Sequence, residues 1–203
     1  MNRRSQSTTR IVCSLVMVAL APAVGSCIED PVHDQAVAAL GNEVPGVAQG
    51  PYHRAGEPCT VCHGPEGPAS TQFSMAGTIF TSPLNTSSSG MLVGLGNVQV
   101  LLVDSTGSSP SVGSVITNCV GNFYITPEEW TPSFPVLVGL QSGTTATKMT
   151  TQISRATSCA QCHANPPSPS TVGNVYFDVA VDPDEEHMCP VSVTIGGQPG
   201  AVP

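Results

Sequence analysis

Two copies of one five-residue pattern, Cys59-Thr60-Val61-Cys62-His63 and Cys159-Ala160-Gln161-Cys162-His163, constrain this chain more than any other feature. Each sets two thiols one helical turn apart, with an imidazole directly after the second. That spacing suits covalent haem attachment: the thiols form thioethers with the vinyl groups, and the adjacent histidine becomes the proximal iron ligand. Cys59, Cys62, Cys159 and Cys162 are therefore candidate attachment residues for two covalently attached haem c groups. His63 and His163 are the candidate proximal ligands.

The rest of the composition fits a chain that borrows core material. Its 203 residues allow one ordinary domain or at most two small ones. Aromatic residues make up 4% and charged residues 10%, while 20 Gly and 19 Pro dilute the apolar content. Two buried porphyrins would supply part of the missing bulk. The formal charge is -8, and loss of residues 1–26 leaves Arg54, Lys148 and Arg155 against all 14 acidic residues, a net -11. With no basic stripe to neutralise phosphates, nucleic acid is not an expected partner. A redox protein donor or acceptor with a basic docking patch fits the sign.

Arg3, Arg4 and Arg10 precede an apolar stretch over 11–24, interrupted by Pro22. This has the length and flanks of a secretory signal rather than a spanning helix. Val24-Gly25-Ser26-Cys27 resembles a bacterial lipobox. The resemblance implies cleavage after Ser26, lipidation of Cys27 as the first mature residue, and membrane contact only through that lipid. The location expected is the periplasm or outer surface. The alternative is a plain signal peptide cut near Ser26, with Cys27 free. On the lipoprotein reading Cys13 leaves with the signal, Cys27 takes lipid and four cysteines take haem. Cys119 and Cys189 remain, an even remainder expected to pair in an oxidising compartment. Such a disulfide would stabilise by roughly 4 kcal/mol in the chain-entropy view; the alternative is two unrelated buried thiols.

The motif pair resembles that of dihaem c-type cytochromes, in which a histidine a few positions upstream of the motif often binds a haem from its distal face. His53, six residues before Cys59, is accordingly the first candidate for a sixth ligand. His33 is the second, in the first turn of a short helix expected over 31–40 and ended by Gly41 and Asn42. His187, beside Met188 and Cys189, is a candidate for the second haem. Each has the alternative of a loop histidine without iron contact. Met75, Met91, Met149 and Met188 are the thioether candidates, and histidine would give the lower potential.

Between the motifs, runs at 73–80, 98–104, 112–119, 122–126, 136–141 and 147–153 are short, β-branched and mostly alternating. They predict a mainly β chain: a small antiparallel sandwich flanked by loop-rich and short-helical haem-binding segments. Runs at 175–181 and 191–195 are candidate edge strands. The acidic residues Asp182, Asp184, Glu185 and Glu186 between them read as a solvated turn rather than a calcium site. Ala76-Gly77-Thr78-Ile79-Phe80, the run Asn97 to Asp104, Thr117-Asn118-Cys119-Val120-Gly121-Asn122-Phe123 and Phe134-Pro135-Val136-Leu137-Val138 resemble the carboxypeptidase regulatory-like domain. That resemblance, over 73–153, implies a transthyretin-like, non-catalytic module acting as scaffold or docking surface. The insertion at 82–96 departs from its compact pattern. Phe123, Tyr124 and Trp130 are expected in the sandwich core or at its edge.

The domain organisation expected is a signal over 1–26, a haem-binding segment over 27–70, the sandwich over 71–155, and the second motif with a C-terminal segment over 156–203. Because the motifs bracket the sandwich, the two sites are expected to approach each other on one flank. The function expected is outer-sphere electron transfer by an exported dihaem cytochrome. The alternatives are a haem enzyme such as a dihaem peroxidase, which wants a Glu or Gln over an open iron, and a zinc-binding or structural β-sandwich lipoprotein. Zinc leaves the histidine after each second cysteine unexplained. A thioredoxin-like role lacks its βαβ context.

Overall fold

Strand β1, Met75–Phe80, is buried along its whole length, and the rest of the fold is arranged on its two faces and both edges. The computed structural model describes residues 30–43, 47, 49–84, 86, 91–112 and 114–178. Cys27, His187 and Cys189, on which the expected lipidation, distal ligation and disulfide pairing fall, lie outside these residues, as do the signal segment and the run at 191–195. The remaining strands are β2 (Gln99–Val103), β3 (Val115–Ile116), β4 (Asn122–Ile125), β5 (Leu137–Ser142), β6 (Thr145–Lys148) and β7 (Val175–Tyr176). Two short helices precede them, α1 (Pro31–Ala39) and α2 (Thr60–His63). The chain is mainly β.

The strands form a three-stranded sheet in the order β4-β1-β7 and a four-stranded sheet in the order β3-β2-β5-β6. Period-two alternation sends Met75, Ile79, Phe123 and Ile125 of the first sheet, and Val100, Leu102, Val115 and Leu140 of the second, into one apolar cluster. Trp130, Val136 and Phe177 close it. Each such buried side chain contributes roughly 1.5–3 kcal/mol. Phe123 and Trp130 are thus core residues, whereas Tyr124 is 46% exposed.

Three sequence expectations are adjusted. First, the sandwich is not purely antiparallel: β7 pairs with β1 in parallel, Ile79 opposite Val175 and Phe80 opposite Tyr176. A parallel neighbour needs a long crossover, and the chain from β1 through the second sheet and the second motif provides it. Second, the run at 112–119 forms regular strand only at Val115–Ile116, although Thr117 continues the pairing, its N donating to Val98 O at 2.9 Å and its hydroxyl donating to Leu95 O at 2.6 Å. Third, the run at 147–153 divides, with β6 ending at Lys148 and Ile153 bridging back to Val136. Beyond β1 the insertion folds back on the strand end, Leu95 N donating to Ile79 O at 2.8 Å.

Helix α1 begins where expected. Asp30 caps it by accepting from Val32 N and His33 N at 3.0 and 3.2 Å, Pro31 occupies the first turn, and Gly41 leaves it at φ +68°. None of its nine residues is buried. What fixes it is its end, where Arg54 donates to Leu40 O and Gly41 O at 3.1 and 2.7 Å. No described helix is long and apolar enough to cross a membrane.

Candidate haem-binding site

The two pentapeptides fold alike. In each, the first cysteine opens a single helical turn, and its carbonyl accepts from the second cysteine and from the histidine: Cys62 N and His63 N to Cys59 O at 3.2 and 2.9 Å, Cys162 N and His163 N to Cys159 O at 3.1 and 2.8 Å. In each, the following loop returns to donate to the second cysteine's carbonyl, from Ala69 N at 3.0 Å and Val172 N at 2.9 Å. In each, that loop also presents a carbonyl to the histidine's Nδ1. The partners are Thr71 O, at 2.7 Å from His63, and Gly173 O, at 3.1 Å from His163. An Nδ1–H held by a carbonyl fixes the tautomer and leaves Nε2 as the metal-binding nitrogen. Glycine is needed for the tight return: a Cβ at Gly67 would collide with the Cys62 carbonyl, and one at Gly64 with that of Thr60.

Over the first motif lies a cavity of about 760 Å³, within the range of small-molecule and cofactor sites. Cys59, Cys62, His63 and His53 all line it, with Phe123 and Tyr124 from β4 forming one wall. His63 stacks on Phe73, ring centres 4.1 Å apart, and Phe73 stacks on Tyr124 at 4.6 Å, so the imidazole plane is clamped as well as its tautomer. The ring of His53 stands 5.8 Å from that of His63. Two imidazoles sharing one metal at ordinary nitrogen distances of about 2 Å have ring centres roughly 6 Å apart. His53 Nδ1 lies within hydrogen-bond reach of the Gly50 carbonyl and amide, and donation to the carbonyl is the tautomer that leaves Nε2 to a metal. The residues present therefore fit a haem: Cys59 and Cys62 would hold it through thioethers, and His63 and His53 would be the imidazoles available to its iron.

His33, the second distal candidate, does not line this cavity. It sits on α1, which packs against α2, and its Nε2 is buried without a hydrogen-bond partner. Arg54, on the cavity wall, holds Glu57 at 2.6 Å and Glu43 at 3.0 Å, and these carboxylates keep it firmly protonated.

Three of the motif thiols are pushed up rather than activated. Burial raises the Cys59 and Cys62 thiols, Arg54 partly opposing this at Cys62, and burial together with the neighbouring Cys59 pushes Cys159 up to about 12. Thiol–disulfide catalysts lower such values instead. Among the described residues, no three His, Cys, Asp or Glu side chains converge into a group that could hold a bare metal ion. Cys119 is disulfide-bonded, and its partner lies outside the described residues.

The second motif rests against β1. Ser158 bridges to Ala76, Ala76 N donates to Thr157 O at 2.9 Å, and Gln161 Oε1 caps the turn from Thr157 N at 3.1 Å. The Cys159 thiol packs on Gly77, so that a Cβ there would collide with its sulfur and crowd the Phe123 ring. Cys162 is exposed, and no residue of this motif lines the first cavity. The motifs nevertheless touch, Thr157 Oγ1 donating to the buried Thr60 Oγ1 at 3.0 Å.

Some contributors to the site were not apparent in the sequence. Asn118 and Asn122 of the sandwich turn donate to the backbone of the His53 loop, and Phe73 and Tyr124 form the aromatic stack. No protein-family model matches the chain, and neither a curated protein nor a solved structure matches it.

Proposed function

We propose that this chain is an exported dihaem c-type cytochrome that transfers electrons by an outer-sphere route, with haem attached at Cys59 and Cys62 and at Cys159 and Cys162. The observation that carries this reading is the repeated architecture: both motifs fold into a helical turn whose histidine has its Nδ1 committed to a backbone carbonyl. Haem iron, when bound, supplies one-electron Fe(III)/Fe(II) chemistry. The chain's own residues do the rest. His63 and His53 supply two imidazoles across one cavity, Phe73 and the Thr71 carbonyl hold the His63 ring, and Phe123 and Tyr124 form one wall.

Contact between the motifs through Thr60 and Thr157 supports a two-centre relay. Raised thiol pKa values and the absence of a convergent ligand group among the described residues favour haem over the thiol-redox and zinc readings. A lipid anchor at Cys27, a periplasmic or outer-surface location, and a redox partner with a basic patch complete the proposal, on the sequence features given above. The sandwich is proposed as a carboxypeptidase regulatory-like scaffold.

The test is spectroscopic. Protein made in a host able to install haem c is expected to retain haem stain after denaturing electrophoresis and to give a low-spin, bis-imidazole near-infrared signature at the first site. Loss of stain on denaturation would refute covalent attachment.

A further inference from the structure

We propose that Asn118 and Asn122, on the turn entering β4, are positioning residues that deliver His53 to the haem cavity, so that the sandwich governs the sixth ligand. This rests on the reading of His53 as that ligand.

The loop at 50–56 has no regular structure of its own, yet the sandwich grips its backbone at three points. Asn118 Nδ2 donates to Pro51 O at 2.7 Å. Asn122 Nδ2 donates to Pro51 O at 3.3 Å and to His53 O at 3.1 Å. Thr78 Oγ1 accepts from Gly56 N at 2.8 Å. The donors are linked to each other as well. Thr78 Oγ1 donates to Asn122 Oδ1 at 2.7 Å, while Asn118 Oδ1 accepts from Val120 N and Asn122 N at 3.1 and 3.0 Å. Each amide therefore spends its oxygen within the sandwich and its nitrogen on the loop.

Thr78 and Asn122 are both buried, so these bonds operate in a low-dielectric setting where a lost partner is expensive. On the loop's far side, Arg54 adopts φ +50° and is tied to Glu43 and Glu57. His53 is thus fixed at its carbonyl from β4, flanked by an anchored Arg54, and steered at Nδ1 by Gly50. With the main chain fixed on both sides, the imidazole stands 5.8 Å from His63.

Asn122→Asp and Asn118→Asp each keep the oxygen that serves the turn and lose the donor that serves the loop. In the haem-loaded full chain both are expected to convert part of the first site from low-spin to high-spin by electron paramagnetic resonance. Added imidazole should then bind at least tenfold more tightly than to the parent, and restore the low-spin signal. His53→Ala should show the full effect, and Asn122→Asp should add nothing in that background. If Asn122→Asp fails to fold, Asn118→Asp, at a half-buried position, carries the test. A low-spin parent whose spectrum and imidazole affinity are unchanged in the soluble variants overturns the positioning role and leaves the cytochrome reading standing. A haem-stained parent that lacks the bis-imidazole signature overturns the positioning role together with the reading of His53 as sixth ligand, and a parent that loses its stain on denaturation overturns the cytochrome reading as well.

Discussion

At the scale of single residues, the decisive detail is which nitrogen each imidazole has free. His63 and His163 both commit Nδ1 to a carbonyl eight and ten residues downstream, and the sequence hides this because any residue can supply a carbonyl. The motif histidines and cysteines stood out in the sequence by their spacing. The asparagines did not: Asn118 and Asn122 read as turn formers, and their loop partners lie 67 to 71 positions away. Gly77 was legible only as the glycine of a strand, yet its missing Cβ is what admits the Cys159 sulfur. Gly77→Ala is therefore expected to lower stability by about 1–3 kcal/mol through overpacking. It should also reduce haem stain at the second motif, scored in a Cys59→Ala/Cys62→Ala background; an unchanged urea midpoint would contradict the close approach. Cys62→Ala, by contrast, should weaken haem retention at the first motif and leave the second loaded, as peptide mass mapping would reveal.

At the scale of elements, β1 is where the fold and the site meet. Its Met75 and Ile79 serve the core, while Thr78 anchors the His53 loop and Ala76 receives the second motif. Ile79→Ala is expected to cost about 2–5 kcal/mol in chemical unfolding. Alternation predicted the strands that fill the core. It also marked 175–181 as a candidate edge strand, where β7 lies at the edge of the first sheet, but nothing local encodes its parallel pairing.

The turn after β2 carries a pH-dependent element. Asp104 accepts from Ser133 N at 3.0 Å, from Thr106 Oγ1 and N at 2.7 and 2.9 Å, and from Ser108 N at 2.9 Å, and these bonds hold its carboxyl down to about 2. An unfolded Asp titrates near about 4. Because the folded value is the lower one, its stabilising contribution is fully present above about pH 4 and is lost as pH falls toward 2. Asp104→Asn should flatten the acid limb of a stability–pH curve over that window; a limb identical to the parent would show that the carboxylate is not responsible.

For the whole molecule, the two motifs lie 100 positions apart in sequence and meet through Thr60 and Thr157. That meeting was expected from the ends of a sandwich lying close, and β1 is the physical reason for it. The size and place of the cavity were not legible, since its walls come from the loop at 50–58, the return at 68–73 and β4 together. The strongly acidic balance acts at this scale too. Electron exchange with a basic redox protein should slow as salt rises from about 0.01 to 0.1 M, because the screening length falls from about 30 to 10 Å. A rate that climbs with salt would argue against a basic partner.

The measurement that bears most directly on the account is the intact mass of the denatured mature protein, made where haem c can be installed. A mass carrying two covalent haems, both lost when the four motif cysteines are replaced by alanine, is the expected result. A mass equal to that of the polypeptide alone would contradict it.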